Sequence, residues 1–217
     1  MSTRAFISWS GGKDCALSLY LAEKENVNVK YLLNIVTEDG KYSRSHGLRP
    51  DVIKKQAEYI GAELIQVRTS WEEYEKNFKN ALILLKEKGV TAGVFGDIDL
   101  EDHRMWVERV CSEVGIDAIL PLWGMEREEI FKEFFKAGFR AVICSVKEGV
   151  IDKKWLGHEL DEKFIKELRK LGTDICGENG EYHTFVYSGP IFKDELRLKF
   201  GKVKYRGSYY YIEIAVV

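Results

Sequence analysis

The sequence predicts an α/β protein in which a mostly parallel, doubly wound, Rossmann-like sheet precedes a small C-terminal lobe rich in antiparallel strands. Two observations lead to this prediction. Short apolar runs alternate with helical spacing from the N-terminus to about residue 148. Beyond Gly149 the alternation stops, and three strand-like runs follow one another. We therefore expect one unit over residues 1–148 and a smaller lobe over residues 149–217.

The elements of the first unit follow from these patterns in order. Ala5-Phe6-Ile7 is a β-prone run, and apolar side chains recur at helical spacing from Asp14 onward. Further strands are predicted at 29–36, 62–67, 91–95, 118–120 and 139–146, and helices at 51–60, 71–88, 101–114 and 126–136. Gly61, Gly89 and Gly115 follow three of these helices, as expected of residues that end a helix.

In the second part of the chain, the predicted helices and strands do not alternate. A helix is predicted at 161–170, followed by a segment at 172–182 that is rich in glycine and acids. Strands are predicted at 184–191, 197–205 and 209–216. A homodimer through these C-terminal strands is one expectation.

Composition limits the classes of function. With 217 residues, 45% hydrophobic residues and three prolines, the chain can bury a substantial core. Its net charge of −2 gives no general attraction for nucleic acid. The four cysteines form no C-x-x-C pair, so we expect reduced thiols rather than a zinc site. No leader or membrane span is predicted, and we expect a cytoplasmic protein.

The turn Ser10-Gly11-Gly12-Lys13-Asp14 connects the first strand to the first helix. Adjacent glycines let backbone N–H groups approach a bulky anion, and the positive end of the helix adds to the attraction. Ser10 supplies a further donor and Lys13 a charge, whereas Asp14 either holds a metal ion or caps the helix. The spacing differs from G-x-x-x-x-G-K-[ST] and from G-x-G-x-x-G. We predict a phosphate site; a plain glycine turn is the alternative.

Ligands of open α/β sheets bind beyond the carboxyl ends of the strands. The Ser10 turn, the polar loop at 37–49, Asp97 and Trp123 all fall on that edge. A second informative stretch, residues 176–184, places Glu178 and Glu181 among glycines directly before a strand. Such a loop is suited to receiving a cationic group, and the alternative is a solvated turn.

The serine-diglycine turn resembles the PP-loop of the N-type ATP pyrophosphatases, which split ATP between the α and β phosphates. Together with Ser45-His46-Gly47, Gly96-Asp97-Ile98, Arg104, Pro121-Leu122-Trp123 and Gly177-Glu178-Asn179-Gly180-Glu181-Tyr182-His183-Thr184, it resembles the diphthine–ammonia ligase family over nearly the whole chain. The resemblance implies a PP-loop (HUP) fold and ATP-dependent amidation of diphthine, a modified histidine of elongation factor 2. The products are diphthamide, AMP and pyrophosphate, and ammonium is the second substrate.

The resemblance also implies site residues. The catalytic residues are expected to be Lys13, Asp14, Asp97 and Arg104. ATP is expected to contact Ser8, Ser10, Gly11, Gly12, Lys13, Asp14, Asn34, His46 and Gly47, and Mg²⁺ to contact Asp14. The substrate is expected to contact Gly96, Asp97, Trp123, Glu178, Gly180, Glu181, Tyr182, His183 and Thr184. Glu178 and Glu181 would attract the trimethylammonium group of diphthine, with Tyr182 or Trp123 as an aromatic face.

For several residues the sequence leaves two possible roles open. By analogy of fold, adenine is expected against the backbone at 34–36, with Leu33 and Ile35 nearby. His46 is either a ligand of phosphate or a solvated loop residue, and Arg104 is either a clamp or a partner of Glu101 or Glu108. Three tryptophans are expected to pack in the core or the lobe rather than to form a substrate platform: Trp71, Trp106 and Trp155.

Two other functions compete with amidation. One is a PP-loop enzyme that modifies transfer RNA by thiolation or by lysidine formation. Thiolation would call for paired cysteines and a basic surface, and the sequence offers neither. A non-catalytic ATP-binding module would bind ATP without producing AMP.

Overall fold

A computed structural model describes residues 3–44 and 46–217 and contains two β-sheets. The first sheet is parallel and has the strand order β3-β2-β1-β4-β5. Its strands are β1 (Arg4–Ser8), β2 (Asn28–Thr37), β3 (Glu63–Thr69), β4 (Ala92–Val94) and β5 (Asp117–Ile119). The order reverses at β1, and the carboxyl ends of all five strands lie on one edge. The predicted α/β class is confirmed.

Five helices are associated with the first sheet: α1 (Lys13–Lys24), α2 (Pro50–Ile60), α3 (Tyr74–Glu87), α4 (Glu101–Val114) and α5 (Arg127–Lys136). Gly61 and Gly115 end α2 and α4 with positive φ, as expected of helix-terminating glycines. One buried cluster packs α3 and α4 against the first sheet, around Phe6, Phe78 and Val110. The other continues from α1 into the second sheet, around Ile7, Leu17 and Phe185.

The second sheet is antiparallel, with the order β7-β6-β9-β8. Its strands are β6 (Arg140–Lys147), β7 (Tyr182–Ser188), β8 (Leu198–Arg206) and β9 (Tyr209–Val216). A short 3-10 helix (Lys153–Trp155) and the helix α6 (Glu162–Leu171) lie between β6 and β7 in the chain. Asp161 caps α6 by accepting hydrogen bonds from the amides of Lys163 and Phe164.

The sheet assignment of β6 differs from the expected one. The sequence analysis placed this strand with the first unit, whereas it pairs antiparallel with β7 and β9. Its apolar run is buried on both sides, and such a run looks the same in a central antiparallel strand as in a parallel one. The chain therefore changes sheets before β6, and the division at residue 148 stays a prediction.

None of the helices in the described parts of the chain has both the length and the apolar composition that a bilayer crossing requires.

Candidate active site

A cavity of about 310 Å³ opens at the carboxyl edge of the first sheet. Its walls come from the turn after β1, the loops after β2, β3 and β4, and the loop that precedes β7. The cavity is lined by many of the residues expected in a site: Ser8, Ser10, Lys13, Asp14, Asn34, His46, Gly96, Asp97, Glu178, Gly180, Tyr182, His183 and Thr184. We call the turn at residues 10–14 the phosphate turn and the loop at residues 176–181 the acidic loop. These two segments are far apart in sequence, yet they face the same cavity.

Lys13 joins the two loops directly. Its backbone N–H donates to Thr184 Oγ1 at 3.0 Å, and its buried ammonium donates to Asp14 Oδ2 at 2.8 Å and to the carbonyl of Cys176 at 2.5 Å. Burial lowers the pKa of Lys13, but attraction to Asp14 and the neighbouring Tyr182 outweighs it, so the net pKa is raised. Lys13 thus stays charged, and one of its three N–H donors remains for a ligand.

The turn itself is fixed by Gln56 of α2. The buried Gln56 amide donates to the carbonyls of Gly11 and Val186, and it accepts from the indole N–H of Trp9. The amide of Val186, in β7, donates to the same Gly11 carbonyl. Gly11 has a φ of +88°, which favours glycine. The phosphate turn is therefore held between the two sheets.

His46 lies directly behind Gly12. Its Nδ1 is 2.9 Å from the carbonyl of Thr184, so this nitrogen carries the proton and donates it. The ring also packs on His183, with 4.5 Å between ring centroids. Burial lowers the pKa of His46 to about 4 and lowers that of His183 well below its ordinary value. Both imidazoles are therefore neutral at neutral pH.

Three carboxylates share the cavity: Asp14, Asp97 and Glu178. Burial raises the pKa of Asp97, although His103, with its Nδ1 3.3 Å from Asp97 Oδ1, opposes the shift. Burial and the negative charge of Asp14 raise the pKa of Glu178 to about 7. Among the described residues, Lys13 is the one lysine or arginine bonded to these three carboxylates, so the cavity favours a cationic ligand.

The raised pKa of Glu178 predicts a pH-dependent stability. The ordinary value is 4.5, so keeping Glu178 in the folded protein costs progressively more between pH 4.5 and 7, and the cost is constant above that. We expect Glu178→Gln to raise Tm by about 2–6 °C at pH 8 and by much less at pH 5. The measurement is thermal unfolding without nucleotide or divalent ions, with Glu38→Gln as an exposed control. An equal Tm gain at both pH values would contradict the argument.

The two glutamates of the acidic loop have different surroundings. Glu178 lines the cavity, whereas the carboxylate of Glu181 accepts from the backbone amides of Asn179 at 3.1 Å and Asp174 at 3.4 Å. The Tyr182 hydroxyl donates to the carbonyl of Ile175, and its ring already lies 5.5 Å from the Lys13 ammonium. Glu181 thus shapes the loop, and Glu178 is the glutamate that lines the cavity.

Arg127, at the start of α5, connects two walls of the cavity. Its guanidinium forms a bidentate ion pair with Asp174, at 2.6 and 2.9 Å, and a third bond of 2.7 Å to Asp99. The Asp174 side chain is 7% exposed, compared with 41% for Asp99. Asp174 also accepts from the amide of Cys176, inside the acidic loop. Arg127 therefore ties the acidic loop to the loop after β4.

We expect the two arms of this ion-pair cluster to differ in strength. Asp174→Asn should lower the free energy of unfolding by about 1–2 kcal/mol, because it removes a buried charge from a bidentate pair. Asp99→Asn should cost less than about 0.5 kcal/mol, because its pair is exposed to solvent. Urea unfolding of both variants measures the difference. Equal costs would show that the buried arm has no special role.

Some expected site residues lie outside the cavity lining. Gly47 packs on the ring of Tyr211, and the Arg104 guanidinium pairs with Glu108 and lies 5.0 Å above the ring of Trp123. The other expected residues that do not line it are Gly11, Gly12 and Glu181, described above. Ser45 lies outside the described residues. The roles assigned to all these residues stay predictions.

The sequence analysis missed several residues of the cavity wall: Trp9, Arg44, Trp71, Tyr74, His103 and Cys176. Trp71 was expected as a packing residue, and that was wrong, because 70% of its surface is exposed. Asn34 lines the cavity, but its side chain bonds internally to Trp9, Ser43 and Gln66. Histidine and arginine in polar loops carry no sequence signal that separates them from solvated residues.

A magnesium ion would find one suitable oxygen here. Oδ1 of Asp14 is buried and has no hydrogen-bond partner among the described residues. Carboxylate oxygens are preferred magnesium ligands, and Mg²⁺ usually takes further ligands from water and substrate phosphates. The described parts of the chain contain no group of three metal-binding side chains. The site thus fits an ion that is carried mainly by a nucleotide.

Comparison with known proteins gives a consistent family. The sequence model of the diphthamide synthase N-terminal domain matches residues 3–118, and that of the diphthamide synthase C-terminal domain matches residues 126–217. A solved structure described as a predicted subunit of a tRNA methyltransferase from Methanocaldococcus jannaschii covers 89% of this chain at 17% identity. Its TM-score is 0.48.

The curated relatives carry the name diphthine–ammonia ligase. The Homo sapiens protein is 34% identical over 137 residues, which are 60% of this chain and 51% of that protein. The Bos taurus protein is 35% identical over 120 residues, covering 53% and 45%. The Schizosaccharomyces pombe protein is 28% identical over 211 residues, covering 87% and 35%. The chain thus spans about half, or less, of the length of these relatives.

Proposed function

The chain belongs to the diphthamide synthase family, and from this premise we propose that it is an ATP-dependent ligase that amidates diphthine on elongation factor 2. One observation supports the proposal most strongly. Lys13 of the phosphate turn bonds to both Cys176 and Thr184, so a nucleotide phosphate and a group held by the acidic loop would meet in one cavity. That proximity is what the transfer of the adenylyl group from ATP to a carboxylate requires.

The proposed reaction has two steps. The diphthine carboxylate attacks the α-phosphate of ATP, which breaks the bond to the β-phosphate, releases pyrophosphate and forms an acyl-adenylate. Ammonia then attacks the acyl carbon, AMP leaves, and the amide forms. Lys13 and Ser10 hold the departing pyrophosphate through a charge and a hydroxyl, in a cavity where such contacts are strong. Glu178, with Asp97 beside it, attracts the trimethylammonium group of diphthine and so orients the carboxylate.

Magnesium is part of the proposal, with Asp14 as the residue that would hold it. When bound, the ion would offset the charge that develops on the phosphates. Cytoplasmic location and a homodimer belong to the same proposal, and light scattering of the purified chain tests the dimer.

The test is to incubate the protein with ATP, magnesium, ammonium and diphthine-bearing elongation factor 2. We expect AMP to form in proportion to modified factor, and intact mass spectrometry should show the mass change from carboxylate to amide, about 1 Da lower. Turnover stimulated by transfer RNA with no change in the factor would overturn the proposal in favour of a transfer RNA enzyme. ATP binding without AMP under any of these conditions would favour a non-catalytic module.

A further inference from the structure

Trp71 is an exposed tryptophan on the wall of the cavity. It directly follows β3, and 70% of its surface is exposed, whereas Trp9 of the same cavity is 2% exposed. Tyr74, at the start of α3, lines the cavity beside it, with 5.7 Å between the two ring centroids. A large aromatic surface left open at a cavity is available to a planar ligand.

Arg44 lies against this tryptophan. It comes from the loop after β2, where its backbone amide donates to the carbonyl of Ile35. Its guanidinium is 4.3 Å from the centroid of the Trp71 ring and donates to the carbonyl of Thr69, the last residue of β3. Arg44 Nε is buried and has no acceptor among the described residues. The guanidinium therefore offers a flat surface beside the Trp71 ring, and the Thr69 carbonyl holds it in place.

The strand order fixes where this pair lies relative to the phosphate turn. Across the edge, Trp71 follows β3, Arg44 follows β2, Ser10 follows β1 and Asp97 follows β4. Neighbouring strands are about 4.8 Å apart, so the ends of β3 and β4 stand about 14 Å apart, with the phosphate turn after β1 between them. The acidic side repels nucleotide phosphates and suits a cation. The other side, with Leu33 and Ile35 between, is apolar and aromatic.

We propose that Arg44 and Trp71 form the nucleobase subsite of this cavity, in which the base stacks on the Arg44–Trp71 pair. The inference rests on the proposed function only for the presence of a nucleotide. It adds side chains from two loops to the backbone contacts at 34–36 that fold analogy suggests. The site therefore distinguishes a nucleotide from a bare polyphosphate through residues that do not touch phosphate.

The experiment measures the binding of ATP, AMP and tripolyphosphate by calorimetry, with magnesium, to the full chain. We expect Trp71→Ala and Arg44→Met to weaken ATP and AMP about tenfold or more, the range found for stacked bases, and to leave tripolyphosphate within about twofold. Arg206→Met is the matched control, because the Arg206 guanidinium lies 4.0 Å over the ring of Tyr42, outside the cavity lining. We expect it to bind all three ligands like the wild type.

Two outcomes would overturn the inference. If both variants bind AMP as the wild type does, Arg44 and Trp71 contact something other than the base, such as the protein substrate. If tripolyphosphate weakens in parallel with ATP, the variants act through charge or folding. Because Trp71 is exposed, its replacement leaves the core intact, and thermal unfolding verifies this. Selective loss of nucleotide binding without AMP formation would uphold the subsite while the ligase proposal fails.

Discussion

Replacing Lys13 with methionine should reduce AMP formation by about 10²–10³-fold, the typical cost of removing one group that stabilises developing charge. The buried ammonium is held by Asp14 and Cys176 and keeps one donor for phosphate. Methionine keeps much of the volume and removes the charge. Asp14 then faces Asp97 and Glu178 without a bonded cation, so affinity for ATP should also fall.

The measurement is AMP release by chromatography, with ATP affinity determined separately. Asp14→Asn is the companion variant and should also suppress AMP release. Lys24→Ala is the control, because Lys24 lies in the last turn of the same helix, 5.3 Å from the ring of Tyr20 and outside the cavity lining. Wild-type AMP release in both Lys13→Met and Asp14→Asn would defeat the assignment of the phosphate turn.

Replacing Gly12 with alanine should destabilise the protein by about 1–3 kcal/mol and abolish tight ATP binding. The backbone of Gly12, with φ of −93° and ψ of −178°, accepts any residue, so the cost comes from contact alone. A Cβ atom would lie 2.4 Å from Cε1 of His46. His46 is bonded to Thr184 and packed on His183, so moving it aside would break both contacts, and overpacking of this kind costs about 1–3 kcal/mol.

A double-mutant cycle separates this clash from a general effect of alanine. His46→Ala alone should destabilise, because it leaves a cavity and an unpaired carbonyl. In the Gly12→Ala, His46→Ala double variant the methyl group has room, so the double variant should be more stable than the sum of the single costs by about 1–2 kcal/mol. Urea unfolding measures all four proteins. Additive costs would refute the contact.

The first sheet was predictable because its strands and helices alternate, and because glycines end α2 and α4. The strand β6 was also predicted, but its sheet was not, because a run that is buried on both faces looks the same in either kind of sheet. For the acidic loop, the sequence predicts a segment that receives a cationic group, but it gives no reason to expect different roles for Glu178 and Glu181. That difference depends on which carboxylate reaches the amides of Asn179 and Asp174, a matter of loop geometry.

Several residues of the cavity wall could not be predicted from the sequence either. Trp71 has the spacing of a helical core residue, yet the helix α3 begins only at Tyr74, which leaves Trp71 in the preceding loop. Arg44 and Gln56 have no motif, and their importance comes from partners that are distant in sequence: Thr69, Gly11 and Val186. Local patterns predict which segments carry chemistry, and tertiary contacts decide which side chains take part.

The carbonyl of Gly11 accepts two hydrogen bonds, one from Gln56 in α2, beside the first sheet, and one from the amide of Val186 in β7 of the second sheet. The two domain models divide the chain between residues 118 and 126, and the hydrogen bonds that join Gly11, Lys13 and His46 to β7 cross this division. A fragment truncated after the first sheet would lack the partners of Gly11, Lys13 and His46 in β7. The phosphate turn therefore gains these hydrogen bonds only after β7, in the last third of the chain, has been synthesised and has packed against it. We expect a nascent chain to form this part of the cavity late.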